Sequence, residues 1–292
     1  MDYFNHPAAS SGRLKNIFKS PKYAFIKQDT DEGRKSYFDI GHAFESMLIS
    51  KYTDYKDITV PQQDSIPIPG DSIYRIFKTY VNMYPNGADN KEEELHKLCN
   101  EHSFYMNRRK DDHTLDKRLD LLREHYPYLD HMLDTQGKII LTDKEYDLCK
   151  TMTDWVLLSP LNEYLQQGQI EYQYADVYRY KTEQFKILPD IIYNNDTIID
   201  LKTTGELPYK YAEVIHKNGY DFQVNYYAAI LGMIRQREYK TKILITSKKD
   251  PTEPVLFDIP KIDIIPYLER FIQIQNGDTR DYPSSFIQYE IQ

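Results

Sequence analysis

Within the stretch ILPDIIYNNDTIIDLKTTGE, Ile187 to Glu206, two aspartates and a lysine interrupt apolar, β-branched runs. Each run has strand character from its Ile, Tyr and Thr content, and Asn194-Asn195-Asp196 between them has the composition of a hairpin loop. A loop centred on Asn195 sets residues at equal distances from it opposite one another, so Asp190 faces Asp200. Directly opposed Cβ atoms lie roughly 5 Å apart, and like charges there are destabilising. Side chains two apart on a strand share a face, so Lys202 projects with Asp200. Two carboxylates and an amine therefore converge where valine or isoleucine would pack better.

Carboxylates clustered without a fixed cation raise one another's pKa or bind a metal. A hard divalent ion such as Mg2+ resolves the repulsion, because it prefers oxygen ligands at about 2.0 to 2.1 Å in octahedral geometry and keeps waters that can serve as nucleophile. Lys202 stands where it could orient or deprotonate such a water, or contact a substrate phosphate. The set suits phosphodiester hydrolysis, in which one or two ions stabilise the attacking and leaving oxygens. A plain Asp200–Lys202 salt bridge is the structural alternative. Cys99 and Cys149 are the only cysteines, which excludes a disulfide framework, a four-cysteine zinc site or an all-cysteine iron–sulfur cluster within one chain. The histidines at 96, 102, 113, 125 and 131 lack zinc-like spacing and read as surface residues.

The elements that must position this cluster can be read from the chain on either side. Ser10 or Ser11 caps a helix through Leu14, Ile17 and Phe18 that Pro21 ends or bends, and Ile40, Phe44, Met47, Leu48 and Tyr52 recur at helical spacing. Thr142 and Glu145 form a capping-box pattern ahead of a stripe of Leu148, Cys149, Met152, Trp155 and Val156. After Gly168, IEYQYADVYRY, FKILPDIIY and TIIDLKT read as three strands in a meander. Two helices follow, separated by the Asn218-Gly219 stop, then two strands and a closing helix interrupted or begun near Pro266. This order predicts an α+β (mixed α/β) fold. With no repeat or composition break, the expectation is one domain over 1–292: a mainly helical part to 165, a sheet with its helices over 166–260, and a C-terminal helix and tail.

At 292 residues, with 40% apolar and 14% aromatic content, the chain is long enough for a packed core. Its apolar runs fall short of the roughly 18 residues of a membrane helix, and MDYFNHPAASSGRLKN lacks a signal-peptide apolar segment, so it reads as cytoplasmic with no membrane partner. A net charge of -8 is not the footprint of a phosphate binder. The most basic segment, Arg108, Arg109 and Lys110 with Lys117, Arg118 and Arg123, is diluted by aspartates and reads as a solvated helix face.

Pro189-Asp190, nine intervening residues and Asp200-Leu201-Lys202 resemble the PD-(D/E)xK nuclease signature in its strand, turn, strand setting. Gln223 and Tyr227 in DFQVNYYAAIL match the glutamine-xxx-tyrosine helix of RecB-like nucleases. The resemblance is greatest to the exodeoxyribonuclease VIII-like phage exonucleases: a serine-rich helix ending in Lys19-Ser20-Pro21, a glycine-led helix, one like LTDKEYDLCKTM, and Gly168 with Glu171 entering the first strand. It covers the chain from about Ser10 to the closing helix and is weakest around 85–135.

The resemblance implies a restriction-endonuclease-like core, a small central sheet flanked by helices. Asp190 and Asp200 would be metal ligands with the Leu201 carbonyl, Lys202 the catalytic lysine, and Gln223 and Tyr227 residues that position DNA or Lys202. RecB-like families carry glycine-xxx-histidine in the preceding helix, whereas Gly41-His42-Ala43-Phe44-Glu45 has glutamate there. At 100° per residue Glu45 borders the Ile40, Phe44 and Leu48 stripe while His42 lies farther away. Glu45 is therefore the expected ligand, with His42 a neighbour of DNA or solvent. The implied activity is a Mg2+-dependent exonuclease on linear duplex DNA, with Mn2+ able to substitute. It would act in phage-type recombination or DNA processing, in a bacterial or phage-infected cell, as a ring-forming homo-oligomer with a single-strand annealing partner. A structure-specific endonuclease and a noncatalytic DNA-end or protein-binding module are the alternatives.

Overall fold

In a computed structural model the chain is described over residues 6–17, 36–61, 66, 69–102, 115–135 and 138–278. Arg108, Arg109, Lys110 and His113 lie outside the described residues, as do Phe18 and the Lys19-Ser20-Pro21 helix end. The chain forms two compact units, Asp29–Ser50 with Tyr55–Lys150, and Met1–Gln28 with Lys51–Asp54 and Thr151–Gln292. The N-terminal helix α1 (Ser11–Ile17) belongs to the latter.

The Asp29–Lys150 unit is mostly helical: α2 (Ser36–Ile49), α3 (Asp71–Met83), α4 (Lys91–Glu101), α5 (Leu115–Arg123), α6 (Tyr126–Asp134) and the start of α7 (Asp143–Leu158). Two short parallel strands, β1 (Thr59–Pro61) and β2 (Ile139–Leu141), join it. Ile73, Ile76, Phe77 and Tyr80 recur on one face of α3 and close a core with Leu95, Leu98, Leu122, Tyr128 and Leu129. The capping box forms as the sequence predicts: Thr142 N–H donates to Glu145 Oε2 at 3.0 Å, and Glu145 N–H donates to Thr142 Oγ1 at 3.3 Å. Trp155 departs from the expected stripe and is 38% exposed. Cys149, Met152, Thr153 and Val156 form the buried face instead, at spacings of three and four that leave position 155 turned away.

The other unit contains α8 (Pro160–Gln166), β3 (Ile170–Tyr172), β4 (Asp176–Tyr180), β5 (Glu183–Ile187), β6 (Ile191–Tyr193), β7 (Thr197–Thr204), α9 (Tyr211–Asn218), α10 (Tyr220–Arg235), β8 (Lys240–Ser247), β9 (Val255–Asp258) and α11 (Ile265–Gln275). Five strands form one mixed sheet in the order β3-β6-β7-β8-β9, antiparallel except for the parallel pair β7–β8. The expected meander of three strands is divided further. IEYQYADVYRY breaks at Gln173, whose φ is 46°, and FKILPDIIY breaks at Pro189, which has no N–H for a ladder. The freed pieces β4 and β5 pair with one another as a separate hairpin.

The sheet, α9, α10 and α11 enclose the unit's core, where Val224, Tyr226, Ile230, Ile243, Ile245 and Phe271 are fully or almost fully buried. The Tyr226 hydroxyl donates to the carbonyls of Ala9 and Lys186, at 2.9 and 3.1 Å, tying the chain start and β5 to α10. Gly219, at φ 65°, is the left-handed stop between α9 and α10. The architecture is the mixed α+β fold expected from the order of elements, with the central sheet flanked by helices that the resemblance implies.

Candidate active site

The β6–β7 hairpin has the register that a loop centred on Asn195 requires: Ile191 opposite Ile199, Ile192 opposite Ile198, Tyr193 opposite Thr197. Asn194 and Asn195 take the left-handed conformation, at φ 49° and 54°, which asparagine tolerates in such turns. One step past the paired residues, Asp190 stands against Asp200. Its carbonyl accepts from Gln173 N–H at 3.0 Å, and its side chain accepts from Leu201 N–H at 2.7 Å. Where β6 ends, a side-chain carboxylate takes over the backbone partner of β7.

Asp200 is fully buried, and neither of its oxygens meets a hydrogen-bond donor in good alignment among the described residues. Lys202 Nζ lies 2.7 Å from Asp200 Oδ2 as an ion pair and 3.3 Å from the Leu201 carbonyl, to which it donates. Burial works against the charge on Lys202, but Asp200 and then Asp190 outweigh it and hold the ammonium above the ordinary lysine range. The Tyr220 ring, at the start of α10, lies 5.2 Å from Nζ. One turn along the same helix Gln223 Nε2 donates to the Tyr227 hydroxyl at 2.8 Å.

The structure thus brings Asp190, Asp200, Lys202 and the Leu201 carbonyl together, and pairs Gln223 with Tyr227. Glu45 and His42 are on α2 of the other unit and face each other, with 3.6 Å between His42 Nδ1 and Glu45 Oε2. The Glu45 side chain is 10% exposed and that of His42 63%, the inward and outward directions read from the helical stripe. Among the described residues no three His, Cys, Asp or Glu side chains form a ready-made metal cage. The donor set on the sheet is two carboxylates, one with both oxygens lacking a well-aligned donor, and a backbone carbonyl. All are oxygens, so a hard divalent cation fits them.

Tyr220 escaped the sequence reading, although it precedes Gln223 by three residues and so shares its helix face. Arg235 did too. It grips Glu171 at 2.5 and 3.1 Å and Asn195 Oδ1 at 2.8 Å, fastening the hairpin loop to the end of α10. Nothing local in the sequence links residues so far apart. Glu171 is therefore an ion-pair partner, and Gly168 has its own structural cause: a Cβ there would lie 1.9 Å from the Tyr193 ring.

Residues 76–275 match the model of a family described as "PDDEXK-like domain of unknown function (DUF3799)". The chain belongs to that family. The match takes in Asp190, Asp200, Lys202, Gln223 and Tyr227, so the carboxylate and lysine cluster lies inside the PDDEXK-like domain. No curated protein matches this PDDEXK-like chain. Among solved structures it is similar to a protein from Eubacterium rectale named as a candidate exonuclease, with 14% identity, a TM-score of 0.36, and coverage of 70% of this chain and 81% of the other. It is also similar to SSO0001, with 15% identity, a TM-score of 0.29, and coverage of 69% and 85%.

Proposed function

We propose that this PDDEXK-like domain is a Mg2+-dependent exonuclease that hydrolyses phosphodiester bonds of linear duplex DNA. The observation that carries the reading is the fully buried Asp200 carboxylate, 2.7 Å from the Lys202 ammonium and opposite Asp190. Asp190 and Asp200 together set two carboxylates against the single Lys202 ammonium, and the excess negative charge is costly to bury unless a further cation is held. Asp190, Asp200 and the Leu201 carbonyl are the residues that would hold the ion, and Glu45 is the proposed helical carboxylate. A divalent ion bound there would polarise the phosphate and supply an activated water.

The chain's own residues have separate tasks. Lys202 presents an ammonium to the scissile phosphate and, through its contact with Asp200, keeps that carboxylate aimed at the same point. Gln223 and Tyr227 form one polar unit on α10 that orients the strand or the Lys202 side chain. His42, exposed beside Glu45, is a DNA or solvent contact. Mn2+ should replace Mg2+, because the donors are oxygens.

The proposed setting is phage-type recombination or DNA processing in the cytoplasm, with a single-strand annealing protein as partner and a homo-oligomeric ring that encircles DNA. Ring closure would gather dispersed cations into one channel despite the net charge of -8. Sedimentation showing only monomer at micromolar concentration would remove the ring.

The deciding experiment compares linear and covalently closed circular duplex DNA, in Mg2+ and in chelator. The expected result is metal-dependent release of nucleotides from linear DNA with little attack on circles. Nicking of circles at a comparable rate would make the chain an endonuclease. End binding without turnover would make it a noncatalytic module.

A further inference from the structure

Among the described residues, each carboxylate and carbonyl that holds the Lys202 ammonium belongs to a candidate metal ligand. Asp200 Oδ2 lies 2.7 Å away, the Leu201 carbonyl accepts at 3.3 Å, and Asp190 adds its charge from across the hairpin. Oxygens that take a divalent ion have less to give the lysine, because the lone pairs are shared and the ion's charge repels the ammonium. A long, flexible side chain then needs a partner that the ion does not claim.

Tyr220 is such a partner. Lys202 Nζ lies over its ring, 5.2 Å from the centroid, within reach of a cation–π contact. The face of an aromatic ring attracts an ammonium but offers none of the oxygen ligands that a hard divalent ion prefers. The Lys202 side chain is 17% exposed, so the contact is largely shielded from water, where it is strongest.

The start of α10 fixes the ring. Gly219, at φ 65°, turns the chain from α9 into α10, and its carbonyl accepts from Gln223 N–H at 3.1 Å. Lys15 Nζ donates to the Asn218 carbonyl at 2.6 Å, and the Lys15 stem occupies the space of a Cβ on Gly219, which it would meet at 2.7 Å. Asp221 Oδ1 accepts from Phe222 N–H at 2.7 Å, and the Asp221 carbonyl accepts from Asn225 Nδ2 at 2.9 Å. Tyr220 itself is partly buried against the core of the unit. Gln223 and Tyr227 follow it by three and seven residues, so one helix face carries the ring and the Gln223–Tyr227 pair.

We propose that Tyr220 is a positioning residue for Lys202, whose ring face keeps the ammonium at the site when Asp190, Asp200 and the Leu201 carbonyl are occupied by a divalent cation. The role rests on the nuclease reading of the cluster. In it the ring acts through the lysine and needs no contact with DNA.

The contact is read without turnover by NMR of the full chain, isotopically labelled at lysine Cε and free of DNA. The Lys202 signal is the one missing from Lys202→Arg, and the Tyr220 ring current should shift its Hε protons upfield. That shift should persist when Mg2+ replaces chelator, remain in Tyr220→Phe, which keeps the ring, and vanish in Tyr220→Leu. Cleavage of linear duplex DNA is the second readout. Tyr220→Leu should lower kcat roughly 5- to 30-fold with KM within about threefold of wild type, the scale of losing a shielded cation–π contact, whereas Tyr220→Phe should keep kcat within about threefold. Tyr220→Met, whose unbranched side chain refills the space, replaces the leucine variant should the latter not fold. A Lys202 signal that returns to the ordinary lysine position when Mg2+ is added, or that is unmoved in Tyr220→Leu, overturns the proposal. Tyr220→Leu cleaving like an active wild type also overturns it and leaves the nuclease reading standing. Tyr220→Phe as slow as Tyr220→Leu would assign the effect to the hydroxyl and reject the ring face. A wild type that leaves linear DNA intact removes the nuclease reading, and the role of Tyr220 with it.

Discussion

The Asp190 carboxylate accepts the Leu201 backbone N–H at 2.7 Å, just past the point where β6 stops covering β7. One side chain thus completes the sheet and supplies a candidate metal ligand. These roles separate by substitution. Asp190→Asn keeps an acceptor for Leu201 N–H and should retain wild-type stability while losing cleavage. Asp190→Ala should lose both, at a cost of about 1 to 3 kcal/mol for the unsatisfied buried donor. Urea unfolding of the two variants, in chelator, checks this. Equal stability would mean that the hydrogen bond contributes nothing.

Asp200 and Lys202 allow a second separation. Lys202→Ala should abolish cleavage with duplex binding nearly intact, since the role proposed for the lysine is at one phosphate and not along the extended backbone. It should also destabilise, by roughly 3 to 5 kcal/mol at most, because the buried Asp200 charge loses its ion-pair partner. Asp200→Asn should lose cleavage with little loss of stability in chelator. It removes one of two facing carboxylates, and Lys202 keeps the Leu201 carbonyl and the nearby Asp190 charge. Marked destabilisation of Asp200→Asn would make the pair a structural salt bridge and overturn the site.

The hairpin was legible because its signals are local. Loop composition fixes the centre at Asn195, the two-residue period of strands fixes the faces, and together they place Asp190 against Asp200 without knowledge of the rest of the fold. The β3–β4 and β5–β6 breaks were less legible, since Gln173 at φ 46° is an uncommon conformation for that residue and its strand-like neighbours hide it. Pro189 did carry the signal for the second break. Arg235 was illegible because its partners Glu171 and Asn195 meet it only through the tertiary fold.

Tyr211 gives a pH-dependent stability with a defined sign. Burial raises its phenol to about 12 in the folded chain, whereas an unfolded tyrosine ionises near 10. Between these values the unfolded chain binds fewer protons, so stability falls as pH rises; below about pH 10 the contribution is complete. Thermal melts from about pH 9 to 12 should show a shallower decline for Tyr211→Phe than for wild type. Tyr52, also raised to about 12 by burial, contributes to both curves and does not affect the comparison. Superimposable declines would remove Tyr211 as a source of alkaline instability.

The last prediction chooses between the two ionisable residues of α2. Glu45 is on the buried side of the helix and His42 on the exposed side, so only the glutamate places its polar group where water is scarce. A hard divalent cation stabilises a carboxylate in such a position more than a neighbouring imidazole does. Glu45→Gln keeps the shape and removes the charge. It should raise the Mg2+ concentration for half-maximal cleavage of linear duplex DNA by about tenfold or more, the scale of losing a residue that supports a metal site. His42→Ala should leave that concentration within about threefold of wild type, because its ring faces solvent and a neighbouring carboxylate needs no imidazole to hold a hard cation. The reverse ranking, a large metal effect for His42→Ala and none for Glu45→Gln, would assign the ligand to histidine, as in the RecB-like pattern, and leave Asp190, Asp200 and Lys202 as they stand.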